Sequence, residues 1–313
     1  MNKTIQNVNR RDFLKTGTKA AAATLFMGTG GSILLGACNT VQKTVSIPTV
    51  TLNNGVAMPM LGYGTSTLNE NNCNQCIVDA ISVGYRLLDT ATIYGNEDFV
   101  GNGIKRSGIQ RDQLFITSKL WVDDSGFESS RKAFQRSLDR LGTDYLDLYL
   151  IHRPRGDVRG SWKAMEELYS EGKIRAIGVS NFEPHQLDDL LTYASIKPAI
   201  NQIENHVFFQ QHEAHAHLKE SGIQMQGWSP FAAGRNNIFN NETLAGIAEK
   251  HNRSIAQVCL RWHYQRGIIA IPRTSQKAHM IQNINIWDFE LAPTDMQTIA
   301  TLDLNTTQFP EWD

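Results

Sequence analysis

The chain has no excess of charge of either sign. Among its 313 residues, 30 are Lys or Arg and 31 are Asp or Glu, so the formal net charge is -1. Because binding to phosphates needs a clustered basic excess, we expect no nucleic-acid partner. The hydrophobic share of 41% and the charged share of 19% are typical of a globular protein with a large core.

The chain also lacks an apolar run that is clearly long enough to span a bilayer. Its most apolar early stretch, Ala20 to Ala37, is interrupted by Gly and Thr and follows the paired residues Arg10 and Arg11. This order, ending in a Gly-Ala-Cys at Cys38, resembles a twin-arginine export signal with a lipoprotein cleavage site. The alternative is a permanent transmembrane helix, which the glycines and threonines disfavour.

The export signal has consequences for location. We expect residues 1–37 to be the signal, Cys38 to carry a lipid and residues 38–48 to form a polar tether. The protein would then act on the periplasmic side of a membrane, attached to it only through the signal or the lipid. We expect it to work there as a monomer.

From residue 49 onward the sequence repeats one pattern, a short apolar run followed by a segment with helical periodicity. Strands that alternate with helices predict parallel pairing, and eight of them predict one α/β domain, a (βα)₈ TIM barrel over residues 49–313. An Asn53-Asn54-Gly55 turn before them predicts a short β-hairpin that closes the bottom of the barrel. The eight runs are Leu61 to Gly64, Tyr85 to Leu88, Leu114 to Thr117, Leu146 to Ile151, Ile174 to Val179, Ala199 to Asn201, Ile223 to Gly227 and Ile268 to Ile271.

A glycine-rich turn after the first strand is missing. An open dinucleotide-binding sheet needs such a turn to approach the pyrophosphate. The glycines of residues 28–31 lie in the export signal, and Gly101 and Gly103 lie in a segment with helical character. Both fail the structural context of that motif, so the closed barrel is the preferred architecture.

Polar residues follow the apolar runs. In barrels of this type the active site lies at the carboxyl ends of the strands, so these side chains are expected to converge. Each has an ordinary alternative as a packing aromatic, a surface ion pair or a hydrogen-bonded polar residue, but their coincidence at successive strand ends disfavours it. The residues are Asp89 with nearby Tyr94, Lys119, His152, Ser180, Asn181, Gln202, Trp228, Ser229 and Arg273.

The segments around these positions resemble the aldo/keto reductase family over nearly all of the chain after residue 48. Their order and spacing carry the resemblance, and Lys119 to Asp124 with Ile286 to Phe289 resembles the bacterial branch that includes 2,5-diketo-D-gluconate reductases. The segments are Gly84 to Ala91 with Tyr94, Ile116 to Trp121, Asp147 to His152, Ile177 to Phe182, Asn201 to Glu204 and Ile271 to Arg273.

The resemblance implies hydride transfer between a nicotinamide cofactor and a small carbonyl compound. Reduction of a carbonyl builds negative charge on its oxygen, which needs a proton donor, and Tyr94 is the expected donor. Lys119 is expected to lower the pKa of Tyr94, and Asp89 to fix Lys119 in place. His152 is expected to hydrogen-bond the substrate oxygen.

The cofactor expected from the resemblance is NADPH or NADP⁺, with NAD less favoured. Trp228 offers an aromatic face to the nicotinamide, and Arg273 before a helix start suits a phosphate. The alternatives are a core aromatic for Trp228 and a surface ion pair for Arg273. The remaining expected cofactor residues are Gly64, Thr65, Ser180, Asn181, Gln202, Ser229, Pro230, Phe231, Pro272, Thr274, Ser275, His279, Gln282 and Asn283.

The expected substrate wall departs from the family pattern. Trp121 remains as an aromatic wall, but Ser66 and Arg153 stand where family members often carry Trp. Fewer aromatics and an added cation favour a polar or anionic carbonyl compound, such as a keto-sugar acid or a diketone. The alternative for Arg153 is a solvated loop position.

Metal ligands at zinc spacing are lacking, so we expect no metal. His212, His215 and His217 have no carboxylate or Cys ligands suitably placed and read as a solvated helix face. Cys73 and Cys76 form a CxxC, but it does not follow a strand, which disfavours a thioredoxin-like redox motif. We expect these residues on a helix surface, with a local disulfide between them as an open alternative. Cys259 reads as a core residue.

Two other functions stay open at this point. The same residues could run alcohol oxidation, because one site serves both directions of a reversible reaction. A non-catalytic sensor or surface module could also keep the barrel and bind cofactor. The conjunction of Tyr94 and Lys119 argues against the sensor, which has no need of an acid beside an ammonium.

Overall fold

A two-stranded hairpin opens the part of the chain that the structure describes. The computed structural model describes residues 46–312, and its first elements are β1 (Thr49–Thr51) and β2 (Ala57–Pro59), which pair antiparallel. Gly55 closes the connection with φ of +85°, in the left-handed region where glycine carries no steric penalty. The predicted Asn-Gly hairpin is present.

Eight parallel strands follow and form a barrel. Each strand pairs with the next along the chain, and a single bridge between Leu61 and Ala270 joins the two ends of the sheet. All eight predicted runs overlap a strand, so the (βα)₈ barrel is confirmed. The strands are β3 (Gly62–Gly64), β4 (Leu87–Asp89), β5 (Phe115–Leu120), β6 (Leu146–Ile151), β7 (Ile174–Ser180), β8 (Ile200–Glu204), β9 (Gln224–Trp228) and β10 (Ile269–Ala270).

Amphipathic α-helices surround the strands. Gly142 ends the helix Phe127–Leu141 with φ of +64°, as expected for a glycine that stops a helix. Helical periodicity in the sequence predicts helices over residues 184–193 and 212–220, and the structure has helices with the same bounds. The helices of the described residues are α1 (Cys73–Val83), α2 (Glu97–Ser107), α3 (Phe127–Leu141), α4 (Val158–Ser170), α5 (Pro184–Tyr193), α6 (His212–Glu220), α7 (Glu242–Lys250), α8 (Ile255–Gln265), α9 (Lys277–Ile284) and α10 (Pro293–Ala300).

The hairpin lies at the N-terminal end of the barrel. Asn53 donates from its side chain to the carbonyl oxygens of Pro198 and Gly222, and Asn54 donates to that of Arg175. These acceptors are near the first residues of β8, β9 and β7. The hairpin therefore covers the bottom, as predicted, and leaves the carboxyl ends of the strands open.

The barrel interior changes from apolar to polar along its axis. Met58, Phe115 and Leu148 belong to the apolar cluster at the lower end, where each buried side chain contributes roughly 1.5–3 kcal/mol. At the carboxyl end the interior instead holds Asp89, Lys119, Gln202 and Gln226, all at most 2% exposed. Burial of this many polar groups is costly unless they bond one another, which marks this end as the functional one.

The CxxC prediction was wrong about exposure. Cys73 and Cys76 begin α1, but both are buried free thiols. The Cys76 thiol lies 3.9 Å from the carbonyl oxygen of Ser275, so this turn of the helix faces the loop after β10 rather than solvent. Cys259 is fully buried, as predicted.

The predicted export signal, the lipidated Cys38 and most of the tether lie outside the described residues. The first strand begins at Thr49, where the barrel was predicted to start. Within residues 46–312, none of the helices combines the length and the apolar character needed to cross a membrane.

Candidate active site

Four predicted catalytic side chains converge at the carboxyl end of the barrel. Asp89 is the last residue of β4, Lys119 lies near the end of β5, and His152 directly follows β6. Tyr94 is reached through a short 3₁₀ turn, Thr92–Tyr94, that leaves β4. Adjacent parallel strands therefore bring together residues that are far apart in sequence.

Lys119 is the centre of this group. Its side chain is fully buried, and its Nζ donates to Asp89 Oδ1 at 2.5 Å, to the Thr90 carbonyl at 2.8 Å and to the Tyr94 hydroxyl at 3.4 Å. An ammonium has three hydrogens, so all of them are directed. Burial, the largest single cause, lowers the pKa of Lys119, but Asp89 and Tyr94 together outweigh it, so the net pKa is raised and the side chain remains a cation.

The second oxygen of Asp89 is also occupied. Gln202 on β8 donates from Nε2 to Asp89 Oδ2 at 2.7 Å across the barrel. The carboxylate therefore accepts a charge-assisted bond on one side and an amide bond on the other. This fixes the plane of the carboxylate and, through it, the position of the ammonium.

Lys119 lowers the pKa of Tyr94, as predicted, but burial has the larger effect. Burial raises the pKa of the Tyr94 phenol, and Lys119 only partly opposes this, so the net direction is upward rather than downward. The phenol is therefore protonated at neutral pH. It can give up a proton only to an oxygen that develops charge, and the ammonium at 3.4 Å then stabilises the phenolate.

His152 is a neutral ring at this site. Burial, followed by the Lys119 charge, holds the pKa of His152 well below its ordinary value. Its ring meets the Tyr94 ring edge to face at a centroid distance of 5.9 Å. A neutral imidazole beside the phenol can hydrogen-bond an uncharged carbonyl oxygen, as predicted, without competing as an acid.

A cavity of about 410 Å³ extends from these residues over the mouth of the barrel. Tyr94 and His152 line one part of it and Arg273 another, so a phosphate-bearing molecule could place its reacting end at the phenol. Gly64 also lines it, and a Cβ there would lie 3.0 Å from the Ile271 carbonyl. The predicted cofactor residues that line the cavity are Gly64, Ser180, Asn181, Gln202, Trp228, Ser229, Pro230, Phe231 and Arg273.

Other predicted cofactor residues do not line this cavity. Asn283 is buried at 3% exposure on α9, and its cofactor contact stays a prediction. Exposed positions on the loop and on α9 remain accessible. The residues that do not line the cavity are Thr65, Pro272, Thr274, Ser275, His279, Gln282 and Asn283.

The oxygen and the nitrogen of the Asn181 side-chain amide both form hydrogen bonds within the protein. Its Oδ1 accepts from the Trp228 indole at 2.8 Å, and its Nδ2 donates to the His152 carbonyl at 3.0 Å and to the Ser180 hydroxyl at 3.1 Å. Asn181 therefore holds the Trp228 ring relative to His152. Binding of a carboxamide by Asn181, as predicted, would require one of these bonds to be exchanged.

The predicted substrate wall is brought together in part. Ser66 and Arg153 line the cavity, and Arg153 also borders a larger neighbouring cleft of about 1040 Å³. Trp121 packs edge to face on His152 at 5.1 Å but does not line the cavity. Trp121 therefore supports the His152 ring, and its role as the aromatic wall stays a prediction.

Two aromatic residues of the cavity were missed in the sequence. Phe239, on the loop after β9, and Trp312, near the end of the chain, both line it. The Trp312 ring lies 5.3 Å from that of Trp228. The only signal for Trp312 was a short aromatic-rich segment after the last helix, and no strand position predicts where such a segment lies.

The C-terminal segment is tied to the barrel by a buried carboxylate. Glu204 is the last residue of β8. Its carboxylate accepts hydrogen bonds from the Thr307 hydroxyl at 2.5 Å, from the backbone N–H of Gln308 at 2.9 Å and from the His206 ring at 2.9 Å. Arg235 on the loop after β9 pairs with Glu311. These bonds hold Trp312 at the mouth of the cavity.

The closed barrel and the buried cation beside a phenol identify the class as a (βα)₈-barrel oxidoreductase. The chain belongs to the aldo/keto reductase family, whose model matches residues 58–304. The family prediction is therefore confirmed. The narrower resemblance to 2,5-diketo-D-gluconate reductases stays a prediction.

Relatives in sequence and structure agree with this assignment. The chain is 50% identical over 257 residues to glyoxal reductase of Bacillus subtilis (strain 168), covering 82% of this chain and 92% of that protein. A deep-sea metagenome aldo-keto reductase, MGS-M4, superimposes with a TM-score of 0.82 at 41% identity, covering 85% and 98% of the two chains. Bombyx mori aldo-keto reductase AKR2E4, solved in complex with NADP, gives a TM-score of 0.80 at 34% identity, covering 86% and 97%.

Proposed function

We propose that this protein reduces aldehyde or ketone groups to alcohols with NADPH, and that Tyr94 is the proton donor. The observation that carries the proposal is the directed ammonium of Lys119, whose third hydrogen points to the Tyr94 hydroxyl at 3.4 Å inside a cavity large enough for a ligand. A structural ion pair of Asp89 and Lys119 would not need a phenol at the open end.

Each of the four catalytic residues has its own role in carbonyl reduction. A nicotinamide held beside Trp228 would supply the hydride for the carbonyl carbon. Neutral His152 hydrogen-bonds the carbonyl oxygen and orients it toward Tyr94. Tyr94 transfers its proton to that oxygen, Lys119 stabilises the resulting phenolate, and solvent returns the proton. Asp89 keeps Lys119 aimed at the phenol throughout.

NADP is the proposed cofactor on the basis of the loop after β10. Arg273 is exposed there and lines the far part of the cavity, where its guanidinium can bind a phosphate that NAD lacks. The silkworm neighbour with bound NADP supports the same choice. Trp228, Ser180 and the amide oxygen of Gln202 would contact the nicotinamide end.

The proposed substrates are polar carbonyl compounds, such as keto-sugars, keto-sugar acids or diketones. Arg153 stands between the catalytic cavity and the larger cleft, so a substrate that extends from one to the other passes its guanidinium. Burial is the main cause of the pKa shifts of Tyr94 and His152, but Arg153 also lowers both pKa values, which shows how near its charge lies. The relative named glyoxal reductase supports a small dicarbonyl.

We also propose that the protein is exported with its cofactor bound. The support is the paired Arg10 and Arg11 before a Gly-Ala-Cys ending at Cys38, a signal of a route that carries folded proteins. Free NADPH is not expected outside the cytoplasmic membrane. Nucleotide should therefore be found in exported protein purified without added cofactor, and its absence would contradict this part of the proposal.

The proposed reaction is tested by loss of NADPH absorbance across a panel of aldehydes, keto-sugars and diketones. Tyr94→Phe should lower kcat by roughly 10²- to 10⁴-fold, the range that general acid catalysis contributes. Cofactor binding, followed by tryptophan fluorescence, should be unchanged in the variant. Full turnover by Tyr94→Phe, or no reduction of any carbonyl compound by the native chain, would refute the proposal.

A further inference from the structure

Gln226 is a buried polar residue beyond the four catalytic groups. It lies on β9 beside Gln202 of β8, with which it is in register, and it is fully buried. Its Oε1 accepts a hydrogen bond from Gln202 Nε2 at 3.0 Å, whereas its own Nε2 has no partner. An unpaired buried donor costs about 1–3 kcal/mol, so this position is held by something other than stability.

The bond from Gln202 to Gln226 fixes which way the Gln202 amide faces. One hydrogen of Gln202 Nε2 goes to Asp89 Oδ2 at 2.7 Å and the other to Gln226 Oε1 at 3.0 Å. If the amide of Gln202 turned over, its oxygen would face a carboxylate oxygen and a carbonyl oxygen, two acceptors with no hydrogen between them. Asp89 and Gln226 each accept one hydrogen of Gln202 Nε2, so together they disfavour the reversed amide.

A continuous series of hydrogen bonds then connects Gln226 to the reacting phenol. It runs through Gln202 and Asp89 to Lys119 Nζ at 2.5 Å and ends at the Tyr94 hydroxyl at 3.4 Å. The last link is the longest, so it is the one most sensitive to the direction of the ammonium. Any rotation of the Asp89 carboxylate would redirect Lys119 away from Tyr94 or toward the Thr90 carbonyl.

We propose that Gln226 is a positioning residue for the proton transfer, acting through Gln202 and Asp89 on the direction of Lys119. This inference rests on the proposed function, since it concerns the step in which Tyr94 acts as the acid. Gln226 does not line the catalytic cavity, so it has no contact with substrate. Its effect on the carbonyl compound therefore belongs to turnover rather than to binding.

Gln226→Met tests the proposal, because methionine has a similar length but no amide acceptor. We expect kcat for carbonyl reduction to fall about 10- to 100-fold, by analogy with the hydrogen-bonding partners that orient metal ligands. KM for the carbonyl compound should change little. The melting temperature should stay close to that of the native chain, because one unpaired donor disappears at residue 226 while another appears on Gln202.

Two further variants separate positioning from packing. Gln226→Glu keeps an acceptor for Gln202 and should recover most of the lost kcat. Gln224→Met makes the same chemical change on the same strand, where Gln224 bonds only the Met225 and Gly267 carbonyls, and should leave kcat unchanged. The native chain is assayed alongside, so an absence of native turnover would refute the proposed function and not this inference.

The inference is overturned if Gln226→Met keeps the native kcat, or if Gln226→Glu is as slow as Gln226→Met. It is also overturned if KM rises while kcat is unchanged, because that result assigns Gln226 to binding. A slow Gln226→Met that melts far below the native chain, with Gln226→Glu equally unstable, would assign it to packing.

Discussion

The inner and outer parts of the catalytic mouth are built in different ways. The inner part, Asp89, Lys119, Gln202 and Gln226, stands on strands, is buried and is joined by hydrogen bonds of 2.5 to 3.0 Å. The rim consists of Ser66, Arg153, Phe239 and Trp312, which stand on loops and on the C-terminal segment and share a cavity. The chemistry is thus fixed by rigid elements, and the choice of substrate is left to segments that can vary without disturbing it.

Lys119→Met should have the largest effect, because it breaks the inner part at its centre. The Asp89 carboxylate would remain buried and lose its cation, which costs about 3–5 kcal/mol of unfolding free energy. Reduction should also slow by roughly 10²- to 10⁴-fold, since the phenolate of Tyr94 would lose its stabilising charge. Urea unfolding and NADPH turnover measure the two losses.

A matched surface pair sharpens that result. Arg136 and Asp124 form an ion pair at 2.6 Å with side chains 47% and 32% exposed. Arg136→Met should cost less than about 1 kcal/mol, because exposed pairs gain little over hydration. If Lys119→Met were no more destabilising than Arg136→Met, the inner part would not be the interlocked unit described above.

The pH dependence of the reverse reaction distinguishes the structure from the sequence-based expectation. Alcohol oxidation needs the Tyr94 phenolate, and burial raises the pKa of Tyr94 above its ordinary value near 10. A raised pKa means that the phenol ionises only at higher pH. Log kcat for oxidation should therefore rise by about one per pH unit from pH 8 to 10 without a plateau. A plateau beginning below pH 8 would show that Lys119 dominates and lowers the pKa, as expected from the sequence.

A control is needed to show that the protein stays folded at each pH. Protein held at each pH and returned to neutral pH should regain full reductase activity. Reduction itself needs the protonated phenol, so its chemical step should not weaken between pH 7 and 9. An oxidation rate that rises with pH while the chemical step of reduction stays constant assigns the titration to Tyr94.

The sequence predicted the inner part better than the rim for a physical reason. Asp89, Lys119 and His152 follow apolar runs, and parallel pairing brings the ends of neighbouring strands together whatever the loops do. The pKa direction of Tyr94 could not be predicted in this way, because it depends on how much burial opposes the Lys119 charge. Trp312 is placed by bonds from Glu204, more than a hundred residues earlier, which no local pattern contains.

Arg153→Met tests the rim and should have a smaller effect than changes in the inner part. Hydrogen bonds to a charged group contribute about 1.5–3 kcal/mol, so the variant should lose roughly 10- to 100-fold in kcat/KM on a keto acid. Its kcat/KM on a neutral ketone of the same size should change much less. The measurement compares both substrates with NADPH saturating.

Arg155→Met is the matched control, because Arg155 borders the larger cleft but not the catalytic cavity. It should leave the ratio between the keto acid and the neutral ketone near the native value. An equal loss on both substrates in Arg153→Met would instead mean that this guanidinium acts on Tyr94 and His152 rather than on the substrate, because those two groups serve every carbonyl compound. That outcome would assign Arg153 to the catalytic group of the inner part rather than to the rim. It would also remove the reason for expecting an anionic substrate.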